Sequence, residues 1–313
     1  MMMDLIREKG RKGISRLCEA DVYLAALLER VLLLRARSQM QPVLFILGLP
    51  RSGTTLIYQY VVHRLSVAYF TNGVGRYYLA PCLATWAQHT CHDEYRSDFT
   101  SRYGSVTGPM APHEAGRFWG RFFGFDEYIL PKDVSTRDRR TMRRTVAFVQ
   151  HIFGALPFVN KNVKHLLRIP ALASIFPNAV FLRVHREWSD VALSLLRARY
   201  EHLDDPTNWW SARPPNHQRL ASRPVDEQIA HQLRGLHQKM NDDLSALPAH
   251  RVLSVNYESF CDAPDRLVHT IRSQIQPIDV RNAGVDAFSP STNRPQTPEE
   301  ERLLRRIKTL DPS

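Results

Sequence analysis

Residues 42–60 read Pro42-Val43-Leu44-Phe45-Ile46-Leu47-Gly48-Leu49-Pro50-Arg51-Ser52-Gly53-Thr54-Thr55-Leu56-Ile57-Tyr58-Gln59-Tyr60. The unbroken apolar run Val43 to Leu47 suits a strand buried on both faces of a parallel sheet. Gly48 to Gly53 is a turn rich in small residues, and a helix is expected from Thr54. Strand, glycine loop and helix start together make an anion site. Loop N–H groups converge on one point, and the helix dipole adds partial positive charge there.

The spacing Gly48-x-x-x-x-Gly53-Thr54-Thr55 follows the Walker A pattern except at one position, where Thr54 replaces the Lys. Thr54 is too short to reach β- and γ-phosphates, and the cation of this loop is Arg51 instead. Such a loop is expected to hold a single phosphate, with Arg51 over the group attached to it. A nucleoside triphosphate kinase would share the loop, but it should carry the Walker Lys and an apolar strand ending in Asp for Mg²⁺.

On these residues, Gly48 to Leu56 resembles the 5′-phosphosulfate loop of sulfotransferases that use 3′-phosphoadenosine 5′-phosphosulfate (PAPS), nearest the bacterial and tyrosylprotein-type branch. A second stretch carries the same resemblance. Ala179 to Val184 reads as another buried strand, and His185-Arg186-Glu187-Trp188-Ser189-Asp190-Val191-Ala192-Leu193-Ser194 follows it. This is similar to the family's 3′-phosphate motif, in which a strand-end Arg and a Ser eight residues later bind the 3′-phosphate. Arg186 offers a planar fork of donors, and Ser194 lies two turns into the next helix. Glu187-Trp188 stands where Asp-Pro is common.

The resemblance spans about residues 42 to 300. It implies an α/β fold of the three-layer P-loop type, with a central parallel sheet flanked by helices. It also implies sulfuryl transfer from PAPS to a hydroxyl or amine by in-line attack, assisted by a carboxylate base and without a metal. Backbone amides of Ser52, Gly53 and Thr54 with the Thr55 hydroxyl would hold the 5′-phosphate, and Arg51 would neutralise charge on the bridging oxygen. The acceptor is expected to be a small molecule or a glycan. The rival reading is a protein that binds the adenosine bisphosphate without catalysis.

Gly108-Pro109-Met110-Ala111-Pro112-His113-Glu114-Ala115 precedes an expected helix from Ala115 to Phe123. Glu114 is the first candidate for the base that removes the acceptor proton, and His113 the second. The tyrosylprotein-type enzymes place their base about twenty residues past the loop Arg. Here Thr71 and Asn72 occupy that place, so the assignment does not carry over. Lys161 ends an expected strand from Phe158, at the strand edge where α/β sheets bind ligands. Asn162 follows it where the family often has Pro. In Asn256-Tyr257-Glu258-Ser259-Phe260 the resemblance makes Tyr257 a neighbour of the adenine and Glu258 structural. It also makes Ser289, Asn293 and Arg294 candidates for a late loop over the phosphates.

The chain has 313 residues, 43% apolar and 23% charged, with a formal charge of +11. These values are ordinary for a globular protein, and the charge fits an anionic ligand, a nucleic acid or a membrane surface. The run Arg137, Arg139, Arg140, Arg143 and Arg144 lacks the aromatic interleaving of single-strand binders, so no nucleic acid is expected. Cys18, Cys82, Cys91 and Cys261 have no paired metal spacing and read as buried thiols. His89, Cys91 and His92 lack a second ligand pair. Val22 to Leu34 is too short to span a bilayer. Its Leu24, Leu27, Leu28, Val31 and Leu32 recur at helical spacing, which predicts an amphipathic helix docked on the rest. The expected layout is an N-terminal helical extension over 1–41, one globular unit over 42–313, and a cytoplasmic enzyme. Residues 71–136 read as irregular and able to build the acceptor pocket, and 204–224 as a mobile lid or, through Trp209-Trp210, a packed loop anchor.

Overall fold

The computed structural model describes residues 23–31, 33, 39–91, 94–102, 104–124 and 128–310. Four parallel strands form the sheet: β1 (Val43–Gly48), β2 (Phe158–Lys161), β3 (Ala179–His185) and β4 (Val252–Asn256), in the order β2-β1-β3-β4. Ala68 adds an isolated parallel bridge to Phe158.

The helices are α1 (Thr54–Arg64), α2 (Asn72–Arg76), α3 (Pro81–Cys91), α4 (Gly116–Phe123), α5 (Thr136–Ile152), α6 (Ile169–Ile175), α7 (Trp188–His202), α8 (His217–Leu220), α9 (Val225–Ser245), α10 (Tyr257–Asp262), α11 (Asp265–Gln274) and α12 (Pro298–Leu310). Three of them lie within 71–136: α4 answers to the helix expected from Ala115 to Phe123, while α2 and α3 fall in stretches that read as irregular. Helix α2 carries two glycines in five residues, and tertiary packing rather than propensity holds it.

Strand β1 explains the layering. Its side chains alternate between faces, so Val43, Phe45 and Leu47 join one apolar core and Leu44 and Ile46 the other. The first core is closed by α4 to α7, α9 and α12, the second by α1, α10 and α11. Phe45 is fully buried and stacks on Phe181 with ring centres 5.7 Å apart. The result is the expected α/β architecture with helices on both faces.

The segment 204–224 is tied to the helices beneath it, as a loop anchored through its tryptophans would be. Arg199, buried in α7, lies over the Trp209 ring at 4.9 Å. Gln232 Nε2 donates to the carbonyls of Trp210 and Ala212, and Gln228 Nε2 to those of Ala221 and Arg223. Two buried amides of α9 thus hold its backbone down.

Residues 23–31 are helical and do dock on the rest, but by the face opposite to the apolar stripe. Buried Glu29 accepts from the Cys82 and Leu83 N–H groups at 2.9 and 3.0 Å, capping the start of α3. Glu29 thus satisfies orphan helix N–H groups, and on the other face Leu24, Leu27, Leu28 and Val31 point outward. Leu32, Cys18 and His92 lie outside the described residues. Cys82 and Cys261 are buried as expected, while Cys91 is exposed. No helix among the described residues is long and apolar enough to cross a membrane.

Candidate functional site

Because all four strands are parallel, their carboxyl ends meet at one edge. Gly48 pairs in register with Val184, Ile46 with Lys161, and His185 with Asn256. The residues just beyond, Arg51, Lys161, Arg186 and Tyr257, are therefore gathered by topology alone.

The glycine loop turns sharply. Arg51 sits at φ 69° and Gly53 at φ 82°, both left-handed, and Ser52 N donates to Leu49 O at 3.1 Å. Gly53 is required twice over. Its φ suits glycine, and a Cβ there would lie 2.1 Å from the Tyr257 ring. Gly48 is equally confined, since a Cβ would meet Ser52 Oγ at 2.4 Å. Helix α1 starts at Thr54 directly after this turn.

The two cationic motifs meet. Arg51 Nε donates to Ser194 Oγ at 2.9 Å, and one Arg186 terminal nitrogen donates to the Arg51 carbonyl at 3.0 Å. The Arg186 guanidinium lies over the Tyr257 ring, 4.6 Å from its centre. Burial, and then the charge of Arg186, lower the pKa of Arg51. Burial pushes the Tyr257 hydroxyl up to about 12. Tyr257 thus packs between Gly53 and Arg186, as a floor for both.

Two polar atoms here are buried with no partner among the described residues, Ser52 Oγ and Arg186 Nε. Both lie just beyond the strand ends, Ser52 Oγ against Gly48 and Arg186 over the Tyr257 ring. Arg186 also donates to the Ser291 carbonyl and hydroxyl. Ser291 is therefore the residue of the late loop that reaches this pocket. Arg294, the sequence candidate, is exposed, and its carbonyl accepts from Arg197 at 2.7 Å. Asn293 is turned to Asp190, whose carbonyl accepts from its Nδ2 at 3.2 Å. A serine inside a Pro-rich loop carries no signal that would single it out.

A second cluster joins Thr55, Glu114 and Lys161. The buried Lys161 ammonium donates to Thr55 Oγ1 at 3.0 Å and pairs with the Glu114 carboxylate. Glu114 comes from the turn before α4, where Ala115 takes φ 51°. Asn162, standing in the family's Pro position, donates from Nδ2 to the Glu114 carbonyl at 3.2 Å. Gly104, at φ 90°, closes over the cluster, and a Cβ there would lie 3.4 Å from Glu114 Oε1. Neither Asn162 nor Gly104 was legible as a contributor. Their roles depend on chain segments that only the fold brings near.

His113 is arranged differently. Its Nδ1 accepts from the Ala115 N–H at 2.9 Å, and burial lowers its pKa. Its Nε2 faces Gly75, and the ring lines the same cavity as Glu114. The His113 carbonyl accepts from Asn160 Nδ2 at 3.3 Å. Asn160 Oδ1 in turn accepts from Trp119 Nε1 at 3.0 Å and pairs with His165 Nε2 at 2.9 Å. A cavity of about 570 Å³ opens onto Glu114, lined also by Asn72, Gly75, Gly104, Ser105 and Arg117.

The sequence profile of the sulfotransferase family matches residues 42–276. Among solved structures, sulfotransferase STF1 of Mycobacterium tuberculosis aligns over 90% of this chain and 77% of its own, at 14% identity and a TM-score of 0.50. Sulfotransferase STF9 of Mycobacterium avium aligns over 90% and 70%, at 16% identity and a TM-score of 0.48. Among curated protein sequences none matches the chain. The profile extends from the residue before β1 to beyond α11, taking in the glycine loop, the Glu114 and Lys161 cluster and the Arg186 helix. The chain belongs to the sulfotransferase family.

Proposed function

We propose that the protein transfers a sulfuryl group from PAPS to a hydroxyl or amine of a small molecule or glycan. One observation carries the reading. Arg51 and Arg186, far apart in sequence, are joined at one strand edge, and Ser194 of α7 accepts from Arg51 there. Two cationic subsites held side by side suit a ligand with a phosphate at each end of one nucleoside. The orphaned Ser52 Oγ and Arg186 Nε are donors such a ligand satisfies.

When bound, PAPS supplies an activated sulfuryl group on its 5′-phosphate. The loop N–H groups of Gly53 and Thr54 and the Thr55 hydroxyl hold that phosphate, and Arg51 balances the charge left on it; the Ser52 N–H, expected from the sequence to join them, is instead spent on the Leu49 carbonyl that closes the turn. Arg186 and Ser194 hold the 3′-phosphate, with Ser291 moving off Arg186 to admit it. Tyr257 positions Arg186 rather than touching the nucleotide. Lys161 sits between the loop and the acceptor side, where its ammonium stabilises charge developing in transfer. Glu114 takes the acceptor proton, and His113, whose Nδ1 accepts from the Ala115 N–H, fixes the turn that presents it. The chemistry calls on positioning and charge rather than on a metal. The same reading makes the protein a cytoplasmic enzyme.

Calorimetric titration with adenosine 3′,5′-bisphosphate and with ATP, repeated on Arg186→Ala, tests the donor. Preference for the bisphosphate, lost in the variant, is the expected result. Equal binding of both nucleotides would point to a kinase and overturn the proposal. A screen of hydroxyl and amine acceptors with PAPS, run beside Glu114→Gln, separates an enzyme from a passive binder.

A further inference from the structure

We infer that the helix over residues 23–31 and the arginine row beside it dock this protein on an anionic lipid surface. Five of the eight large apolar side chains that stand exposed among the described residues lie on this one helix. They are Tyr23, Leu24, Leu27, Leu28 and Val31, between 51% and 69% exposed. Their spacing puts them on a single stripe. The stripe is not a face awaiting the domain, because the helix already docks through Glu29 on the start of α3. A sixth exposed ring, Trp86, lies on that same α3.

The charge beside the stripe selects the occupant. A cavity of about 1240 Å³ runs between this helix and α5, with Leu27 and Arg30 on one wall and Arg137, Arg140 and Arg144 on the other. Arg139 and Arg143 of the same run are spent on structure, donating to Ser174 Oγ and to the Ile175 carbonyl. The remaining arginines are placed to meet anions. Leucines and an aromatic at the level of acyl chains, with guanidinium groups at the level of phosphate headgroups, are what an interfacial helix presents to an acidic bilayer. A second copy of the chain fits poorly, because a two-fold contact sets the arginine row against itself.

Vesicle co-sedimentation of the full chain tests this, using phosphatidylcholine with and without phosphatidylglycerol. The protein is expected to sediment with the anionic vesicles and to be released by added salt. Leu24→Gln/Leu27→Gln/Leu28→Gln and Arg137→Gln/Arg140→Gln/Arg144→Gln should each weaken partitioning roughly ten-fold or more. Unchanged bisphosphate titration shows that both variants stay folded. Equal sedimentation with neutral and anionic vesicles, or none with either, overturns the inference. So does full vesicle binding by either triple variant. A dimer in sedimentation velocity that the leucine variant breaks would assign the face to a second copy. Binding to polyglutamate that tracks both variants, without vesicle binding, would assign it to an acidic protein.

Discussion

Arg51 Nε and Ser194 Oγ are 2.9 Å apart across 143 residues of chain, so the glycine loop and helix α7 are joined before any ligand arrives. In the proposed function one end of the donor is read by the loop and the other by α7. Their separation is therefore set by this contact.

Removing the contact should cost donor affinity in graded steps. Ser194→Ala loses one neutral acceptor, about 1 kcal/mol, and should weaken bisphosphate binding roughly five-fold. Arg51→Ala removes a charged donor, about 1.5–3 kcal/mol, and should weaken it by roughly one to two orders of magnitude. The double variant should lose less than the sum, since the two side chains act on each other. Strict additivity in calorimetry would count against a shared role.

Gly53 should tolerate no side chain. Gly53→Ala is expected to destabilise the fold by about 1–3 kcal/mol from the left-handed backbone alone, before the clash with the Tyr257 ring. Urea unfolding measures it. Pairing the change with Tyr257→Ala should relieve the steric part and leave the backbone part. An alanine variant as stable as the parent protein refutes this account of the loop.

Glu114 and Lys161 should separate chemistry from binding. Glu114→Gln is expected to lower kcat by roughly 10²- to 10⁴-fold while the bisphosphate dissociation constant stays put. Lys161→Met should also lower kcat, and Thr55 loses its partner in that variant. If Glu114→Gln retains full turnover on any acceptor, the proton goes elsewhere.

Stability should fall on mild acidification. Burial lowers the pKa of His113 and, much further, that of His165, and His63, His185 and His237 shift the same way. Below the ordinary value of about 6.5 the unfolded chain takes up protons that the folded chain refuses. Unfolding free energy therefore drops as pH falls from about 6.5 toward the lowered folded-state values. Urea denaturation at pH 7.5 and 5.5 is the check, and equal or greater stability at the lower pH contradicts it.

The parts legible in the sequence are those whose physics is local. An apolar run ending in Gly48-x-x-x-x-Gly53 gives a buried strand, a turn and a helix start within a few residues, and strand β3 with Arg186 repeats that logic. Glu114 and Lys161 were each visible as candidates, yet nothing in their own neighbourhoods says that they touch. That contact needs β2, α1 and the turn before α4 to be packed together. The N-terminal stripe misled for a related reason. Periodicity tells which residues share a face, but not whether that face looks inward. Glu29, a single carboxylate capping a helix far along the chain, decides the orientation.

Asn160 has consequences for anyone wishing to alter what this protein accepts. Its amide holds the His113 carbonyl, the Trp119 indole and the His165 ring in one fixed knot. The wall of the cavity that carries Glu114 is in effect masonry, and substitutions there are expected to cost folding before they change selectivity. Ser105 and Arg117 line the same cavity outside that knot, and libraries aimed at new acceptors are best centred on them.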